Sequence, residues 1–129
     1  MPHLALRTAA VGVLATVLLG ACGAGTGTGT AHTPTMAELT GGSWESDSVS
    51  SPDHQLVPGS TIVLTFSGDR ISIHAGCNTM NGGASISGTT LVVTALASTM
   101  MGCDAPLARQ DQWVQEFVTS RPTIELPRP

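Results

Sequence analysis

Apolar residues alternate with polar ones through the middle of the chain, and this alternation limits the possible folds more than any other feature. Every second residue is apolar over residues 61–66 and again over 70–74. The residues expected on the shared apolar face are Ile62, Leu64, Phe66, Ile71 and Ile73. A period of two predicts β-strands with one buried face. Gly68 lies in the Ser-Gly-Asp segment between the two strands and supplies turn chemistry, so the strands are predicted to form a hairpin.

The same pattern recurs along the chain at short, regular spacing. Further strands are predicted at residues 43–49, 84–87, 91–94 and 123–126, with a turn at Gly88. We also interpret the segment from Asn78 to Gly83 as a turn-rich corner, because Asn and Gly tolerate positive φ. Such spacing is typical of a meandering antiparallel sheet or an open barrel, and not of βαβ units.

One helix is predicted near the C-terminus. Asp104 suits the N-cap position, Pro106 is tolerated in the first turn, and Pro122 ends the helix. The expected buried stripe consists of Leu107, Val114, Phe117 and Val118, flanked by Trp113, with Arg109 on the outer face. The predicted fold class is therefore α+β, an antiparallel meandering, open barrel-like sheet with one packed C-terminal helix.

The N-terminus has the features of an export signal. An apolar run over residues 9–19 follows Arg7 and ends at Leu-Gly-Ala before Cys22. A Cys directly after Gly-Ala resembles the lipobox of bacterial lipoproteins, in which that Cys is acylated and becomes the mature N-terminus. The run is too short for a transmembrane helix, which needs roughly 20 apolar residues. We therefore predict a lipoprotein signal peptide over residues 1–21 and a lipid anchor at Cys22, on the extracytoplasmic face of the cell membrane.

Residues 22–35 are predicted to be a flexible tether between the lipid and the folded domain. Gly and Thr alternate from Gly23 to Thr30, and such a segment offers no side chain for a core. The domain itself is expected over residues 36–126. The chain carries five basic and nine acidic residues, a net charge of −4, without a basic stripe. Nucleic-acid binding is therefore excluded as an expected function.

Cys77 and Cys103 form an even pair once Cys22 is acylated. In an oxidising compartment, such a pair is expected to form a disulfide. A buried reduced pair and redox chemistry are the alternatives. Metal binding is not expected, because closely spaced cysteines or a partner histidine are missing from the pattern. Met100 and Met101 are expected to pack under the helix.

Several motifs together resemble the META domain, a family that includes HslJ-like heat-shock lipoproteins. The motifs are Gly76-Cys77-Asn78, Asn81-Gly82-Gly83, the segment from Ala97 to Cys103, the helix with Trp113 and Phe117, and the opening from Leu39 to Trp44. The resemblance implies an exported antiparallel fold with a packed helix and a link to envelope stress, without an established catalytic residue. Family members usually continue past the helix into another hairpin, which residues 36–126 are expected to lack.

Candidate chemistry beyond the cysteines is sparse. His74, Asn78 and Asn81 could form a small polar ligand site, although structural roles in a strand end and a corner are expected for them. A Ser98, His74 and Asp104 triad can be drawn, but no nucleophile-elbow motif accompanies it. His32 and His54 are expected to be unconstrained, in the tether and in a loop. No catalytic residue, metal or cofactor is predicted.

The leading functional hypothesis is a non-enzymatic, lipid-anchored envelope protein that binds or scaffolds an unknown envelope protein or small ligand. One rival is a secreted hydrolase that uses Ser98 or His74. Another is a small-ligand carrier. A polar cleft with perturbed titratable groups near His74 would favour the hydrolase, whereas a sizeable apolar cavity near the helix would favour the carrier.

Overall fold

The structure is a computed structural model that describes residues 2–8 and 31–128. Six strands form one antiparallel sheet in the order of the chain. They are β1 (His3–Thr8), β2 (Ser43–Ser50), β3 (Val63–Ser67), β4 (Arg70–His74), β5 (Thr79–Ser87) and β6 (Thr90–Ser98). The helices within these ranges are α1 (Met36–Leu39) and α2 (Ala105–Thr119). The predicted α+β class, an antiparallel meander with one packed C-terminal helix, is confirmed.

The core lies between the inner face of the sheet and α2. The residues predicted on the buried face of the first hairpin are all buried, with at most 3% of their surface exposed. They are Ile62, Leu64, Phe66, Ile71 and Ile73. Met80, Ala84, Leu91 and Val93 extend this face across β5 and β6, and Val114 and Val118 of α2 cover it. Among the described residues, no helix combines the length and apolar character needed to cross a membrane.

Two tight turns set the register of the hairpins. Gly68 and Gly88 each adopt a φ of +59° at the first position of a two-residue turn. Gly at that position is typical of the turns that match the right-handed twist of paired strands. The predicted hairpins therefore form where the turn chemistry placed them.

The predicted corner at residues 81–83 is instead part of a strand. β5 begins at Thr79 and carries Asn81, Gly82 and Gly83 into the sheet, opposite a bulge in β6. Ala95 is the extra residue of that bulge and has a φ of +50°. A Cβ on Gly82 would lie 2.8 Å from the Thr94 carbonyl oxygen. These glycines are present because the bulged strand comes too close for a side chain.

Residues 31–35, the end of the predicted tether, belong to the folded structure. His32 pairs with Leu126 in an isolated bridge. Thr35 caps α1 through a capping box: its hydroxyl accepts from the Glu38 N–H, and the Glu38 carboxylate accepts from the Thr35 N–H at 2.7 Å. The bond from the Thr35 N–H, with a further contribution from the His32 side chain, lowers the pKa of the Glu38 carboxyl. The remainder of the predicted tether and Cys22 itself lie outside the described residues.

Helix α2 begins and ends where the sequence predicts, but its buried face differs. Asp104 is the N-cap, although its side chain makes no capping bond. The buried residues are Gln110, Asp111, Val114 and Val118. Leu107 and Phe117, both expected in the buried stripe, are only half-buried, and Phe117 stacks on Trp113 with ring centroids 5.2 Å apart. The helix thus turns Gln110 and Asp111 toward the interior, because both side chains have hydrogen-bond partners in the loops that pack against α2.

The segment before α2 also departs from expectation. Met100 and Met101 do not pack under the helix; they are 94% and 65% exposed. The backbone N–H of Met101 donates to Asn78 Oδ1 at 2.8 Å, which holds the segment at the surface with both side chains outward.

The C-terminal segment returns over the open side of the sheet. Arg121 follows the helix with a φ of +59°, a left-handed position typical of helix ends. The strand predicted at residues 123–126 is replaced by two isolated bridges, Thr123 to Thr90 and Leu126 to His32. The segment therefore ties the edge of β6 to the start of the domain instead of forming a regular strand.

β1 comes from within the predicted signal peptide. It pairs with β2 from His3 opposite Ser50 to Thr8 opposite Trp44. The boundary of the signal peptide at residue 21 lies outside the described residues, so its removal stays a prediction. As described, the chain's own residues 3–8 cover the edge of β2.

Candidate functional site

An apolar cavity of about 780 Å³ lies at the open side of the sheet. Its floor is formed by core residues, namely Leu39, Leu64, Phe66, Leu91 and Val118. Phe117 and Trp44 add aromatic walls, β1 closes one side, and residues 120–127 close the other. Ligand pockets of proteins usually measure about 300–1,000 Å³ and are mostly apolar. This cavity has the size and lining of a binding site.

Hydrogen bonds hold two walls of the cavity in place. Trp44 is fixed by a hydrogen bond from its indole Nε1 to the Leu39 carbonyl at 3.0 Å. The left-handed turn at Arg121 directs the following segment across the sheet, where Leu91 donates its N–H to the Pro122 carbonyl at 2.9 Å. The charged residues on the lining, such as Arg7 and Glu125, are exposed at the rim. The interior therefore presents hydrocarbon and aromatic surface.

Gln110 is the centre of a buried polar network on the opposite side of α2. Its Oε1 accepts from the Val57 N–H at 2.8 Å and pairs with His54 Nε2 at 3.2 Å. Its Nε2 donates to the Ala75 carbonyl at 2.7 Å and to Ser60 Oγ at 2.9 Å. All four hydrogen-bonding positions of the amide are thereby used, so the residue joins α2 to the β2–β3 loop and to the end of β4.

Asp111, the next residue on α2, holds the corner after β4. Its Oδ2 accepts from the backbone N–H and the side-chain Nδ2 of Asn78. Its Oδ1 is buried without a partner among the described residues. Beside it, Cys77 and Cys103 form a disulfide with a Cα–Cα distance of 6.1 Å. The predicted disulfide is therefore present and ties the corner to the start of α2.

The same three residues bring possible metal ligands together. One ligand atom each from Cys77, Cys103 and Asp111 lies within 4.8 Å of the others. Zinc sites use cysteine thiolates, which a disulfide does not offer. The cluster as described is therefore a covalent cross-link beside a carboxylate.

The three residues predicted as a weak ligand site have different surroundings. Asn78 Oδ1 accepts hydrogen bonds from Thr99 Oγ1 at 3.0 Å and from the Met101 N–H, and its Nδ2 donates to Asp111. Its side-chain polar atoms therefore make hydrogen bonds within the fold. His74 and Asn81 are both exposed, on neighbouring strands. Ligand binding by these residues stays a prediction.

The drawn triad does not come together in hydrogen-bonding geometry within the described residues. His74 and Asp104 do line one shallow cleft of about 510 Å³. However, the side-chain partner of His74 is Thr79 Oγ1 at 3.5 Å, and Ser98 Oγ donates to the Thr99 carbonyl at 2.9 Å. A nucleophile, a base and an orienting carboxylate in contact are what acyl-transfer chemistry requires.

Two histidines expected to be unconstrained are held in place. His54 stacks on Trp113 with ring centroids 4.9 Å apart, in addition to its bond with Gln110. His32 Nε2 lies 2.9 Å from Glu38 Oε1. The sequence offers no local signal for the hydrogen bond of His54, because its partner Gln110 lies 56 residues further along the chain.

The fold and the site define an α+β domain in which an antiparallel meander and one packed helix border an apolar cavity. The family model of the META domain matches residues 37–127, and the chain belongs to this family. Comparison with curated proteins and with solved structures gives no significant match.

Proposed function

We propose that this chain is a lipid-anchored protein of the cell envelope that binds an apolar partner without catalysing a reaction. The observation that carries the binding function is the apolar lining beside α2, which lies within residues 36–126 and so remains when residues 1–21 are removed; it consists of Leu39, Leu64, Phe66, Leu91, Phe117 and Val118. Contiguous apolar surface of this kind that is open to solvent marks binding sites.

Support for the anchor comes from the sequence. Cys22 follows the apolar run and the small residues that typify a lipobox, and two or more acyl chains give stable membrane attachment. Replacement of Cys22 by Ala is expected to release the protein from the membrane fraction while its circular dichroism spectrum stays that of the wild type. Retention of the variant in membranes after a carbonate wash would contradict the anchor.

Support for a non-enzymatic role comes from the surroundings of the candidate catalytic residues. Ser98 and His74 are each engaged with other groups, and the shallow cleft near His74 is separate from the cavity. A hydrolase would need these residues in mutual contact. The link to envelope stress is part of the proposal and is supported by membership of the META domain family.

A small-ligand carrier is a second candidate, favoured by the apolar and aromatic lining of the same cavity. In both cases the apolar interior is the binding site, and the occupant differs. The two candidates therefore share one first test, which is whether an apolar probe enters the cavity.

Nile red is a suitable probe, because its fluorescence rises in an apolar environment. We expect saturable enhancement with the full chain and much weaker binding to Ile124→Trp, which places an indole in the lining. Arg128→Trp is the matched control, since Arg128 is exposed and lies beyond the lining. Equal binding by both variants, with wild-type melting temperatures, would show that the cavity is not the site.

A further inference from the structure

One edge of β2 is covered by β1, which lies within the predicted signal peptide and is expected to be cleaved off. β1 pairs with β2 along its whole length, and β3 pairs with β2 only from Ser43 to Glu45. Removal of residues 1–21, which is part of the proposed function, would free this edge of β2. Unpaired N–H and C=O groups along an edge strand form a template for another strand.

The covering strand also fills one side of the cavity. Leu4 and Leu6 are half-buried and pack against the core, while the alternate residues His3 and Ala5 are exposed. Leu4 lies opposite Val49 and Leu6 opposite Ser46, across a bulge at Asp47. Main-chain pairing together with alternate side chains in a pocket is the pattern of recognition by strand addition.

The charges across the pair are complementary. Arg7 lies opposite Glu45, and its guanidinium is 3.8 Å from Asp47 Oδ1. No other Lys or Arg occurs from the N-terminus to residue 69. An exposed pair of this kind adds little energy, but the acidic edge favours a basic incoming strand over an acidic one.

We propose that the β2 edge and the adjoining cavity form an acceptor site for an extended peptide of a partner protein. The peptide runs antiparallel to β2 and has two apolar residues separated by one residue, followed by a basic residue. Residues 4–7 of the chain itself have this pattern, and they occupy the site until the signal peptide is removed. The inference rests on the proposed function, since the exchange requires removal of β1.

A second copy of the chain fits the site less well. Antiparallel pairing of two β2 strands about Ser46 would bring Glu45 and Asp47 of both copies together. Like charges on facing strands are destabilising. A basic partner segment therefore suits this edge better than β2 itself.

The test uses a fluorescein-labelled peptide with the sequence of residues 2–8 and the full chain in two variants. Leu6→Asp puts a charge on the cavity side of β1 and should release the strand, whereas Ala5→Asp is the matched control on its exposed side. We expect peptide binding to Leu6→Asp at least about tenfold tighter than to Ala5→Asp, where tethered β1 competes. Leu6→Ala replaces Leu6→Asp if that variant does not melt cooperatively.

Specificity is measured with altered peptides. A peptide with Asp at both Leu positions should not bind, and one with Glu in place of Arg7 should bind more weakly at low salt. Amide exchange in the complex should slow along residues 44–50 of β2. Peptide binding without this protection would overturn the assigned site.

The remaining outcomes separate the inference from the function on which it rests. If Leu6→Asp takes up Nile red but not the peptide, strand addition is wrong and the binding function stands. Concentration-dependent dimers of Leu6→Asp that exclude the peptide would make a second copy the occupant and overturn the proposal. Detection of residues 1–21 in the mature protein would also overturn it, because β1 would stay in place.

Discussion

Asn78 donates twice to the same oxygen of Asp111, through its backbone N–H at 2.9 Å and its Nδ2 at 3.0 Å. The first bond supplies a partner for a main-chain group at the corner after β4, and the second orients the amide. Asn78 Oδ1 is then turned toward Thr99 and Met101. One carboxylate on α2 thereby fixes the loop that leads into the same helix.

Asp111→Ala is expected to reduce the free energy of unfolding by about 2 kcal/mol, because it leaves the Asn78 N–H without its charged acceptor. Arg109→Ala, on the exposed face of the same helix, should change it by less than about 0.5 kcal/mol. Urea denaturation of both variants provides the measurement. Similar midpoints would show that the Asn78–Asp111 contact contributes little.

Reduction of the Cys77–Cys103 disulfide is expected to destabilise the domain by about 3 kcal/mol, since the bond closes a loop of 26 residues. At roughly 4–8 °C per kcal/mol, the melting temperature should fall by well over 5 °C. The Cys22→Ala variant should show no free thiol before a reductant is added. Two reactive thiols in freshly exported protein would contradict the bond.

Gly82→Ala is expected to destabilise the domain by about 1–3 kcal/mol, because backbone must move to admit the new methyl group. The added Cβ would lie 2.8 Å from the Thr94 carbonyl oxygen and 3.2 Å from Leu96 Cα. Gly42→Ala is the matched control, since its Cβ would meet nothing within 4 Å. Thermal melting that ranks the two variants equally would place the close β5–β6 approach in doubt.

Glu38→Gln is expected to change how stability depends on pH in acid. The Thr35 N–H, and after it His32, hold the pKa of Glu38 below its ordinary value of 4.5. A lowered pKa stabilises the fold above the ordinary value, and this contribution disappears as the pH falls through the folded-state value. The wild type should therefore lose stability relative to Glu38→Gln on titration below pH 4.5. Parallel acid unfolding curves would contradict this role of the capping box.

The strands of the hairpins were predictable because their signals are local. Ile62, Leu64 and Phe66 alternate, and Gly68 marks the turn, so the sequence carries both the buried face and the register. The prediction at Gly82 was wrong, because the sequence does not distinguish a glycine required by a close neighbouring strand from a glycine required by a turn. Only the partner strand distinguishes them.

The buried polar residues of α2 could not be predicted for a related reason. Gln110 and Asp111 have the character of an outer helical face, and their partners Val57, Ala75 and Asn78 lie 53, 35 and 33 residues away. The cavity was equally hidden, because its walls come from segments far apart in the chain. β1 illustrates the same limit: its two leucines suit both an export signal and an edge strand.

The bonds of Gln110 also set an order of events during synthesis. A ribosome adds about 5–20 residues per second, so roughly 3–10 s separate the appearance of Val57 from that of Gln110. During that interval the hairpins of β3 to β6 can pair, while the loop at Val57 and the carbonyl of Ala75 have only water as a partner. The inner face of the sheet, which α2 later covers, is exposed to solvent for the same interval. The nascent chain is thus most exposed to proteases and chaperones just before its last helix emerges.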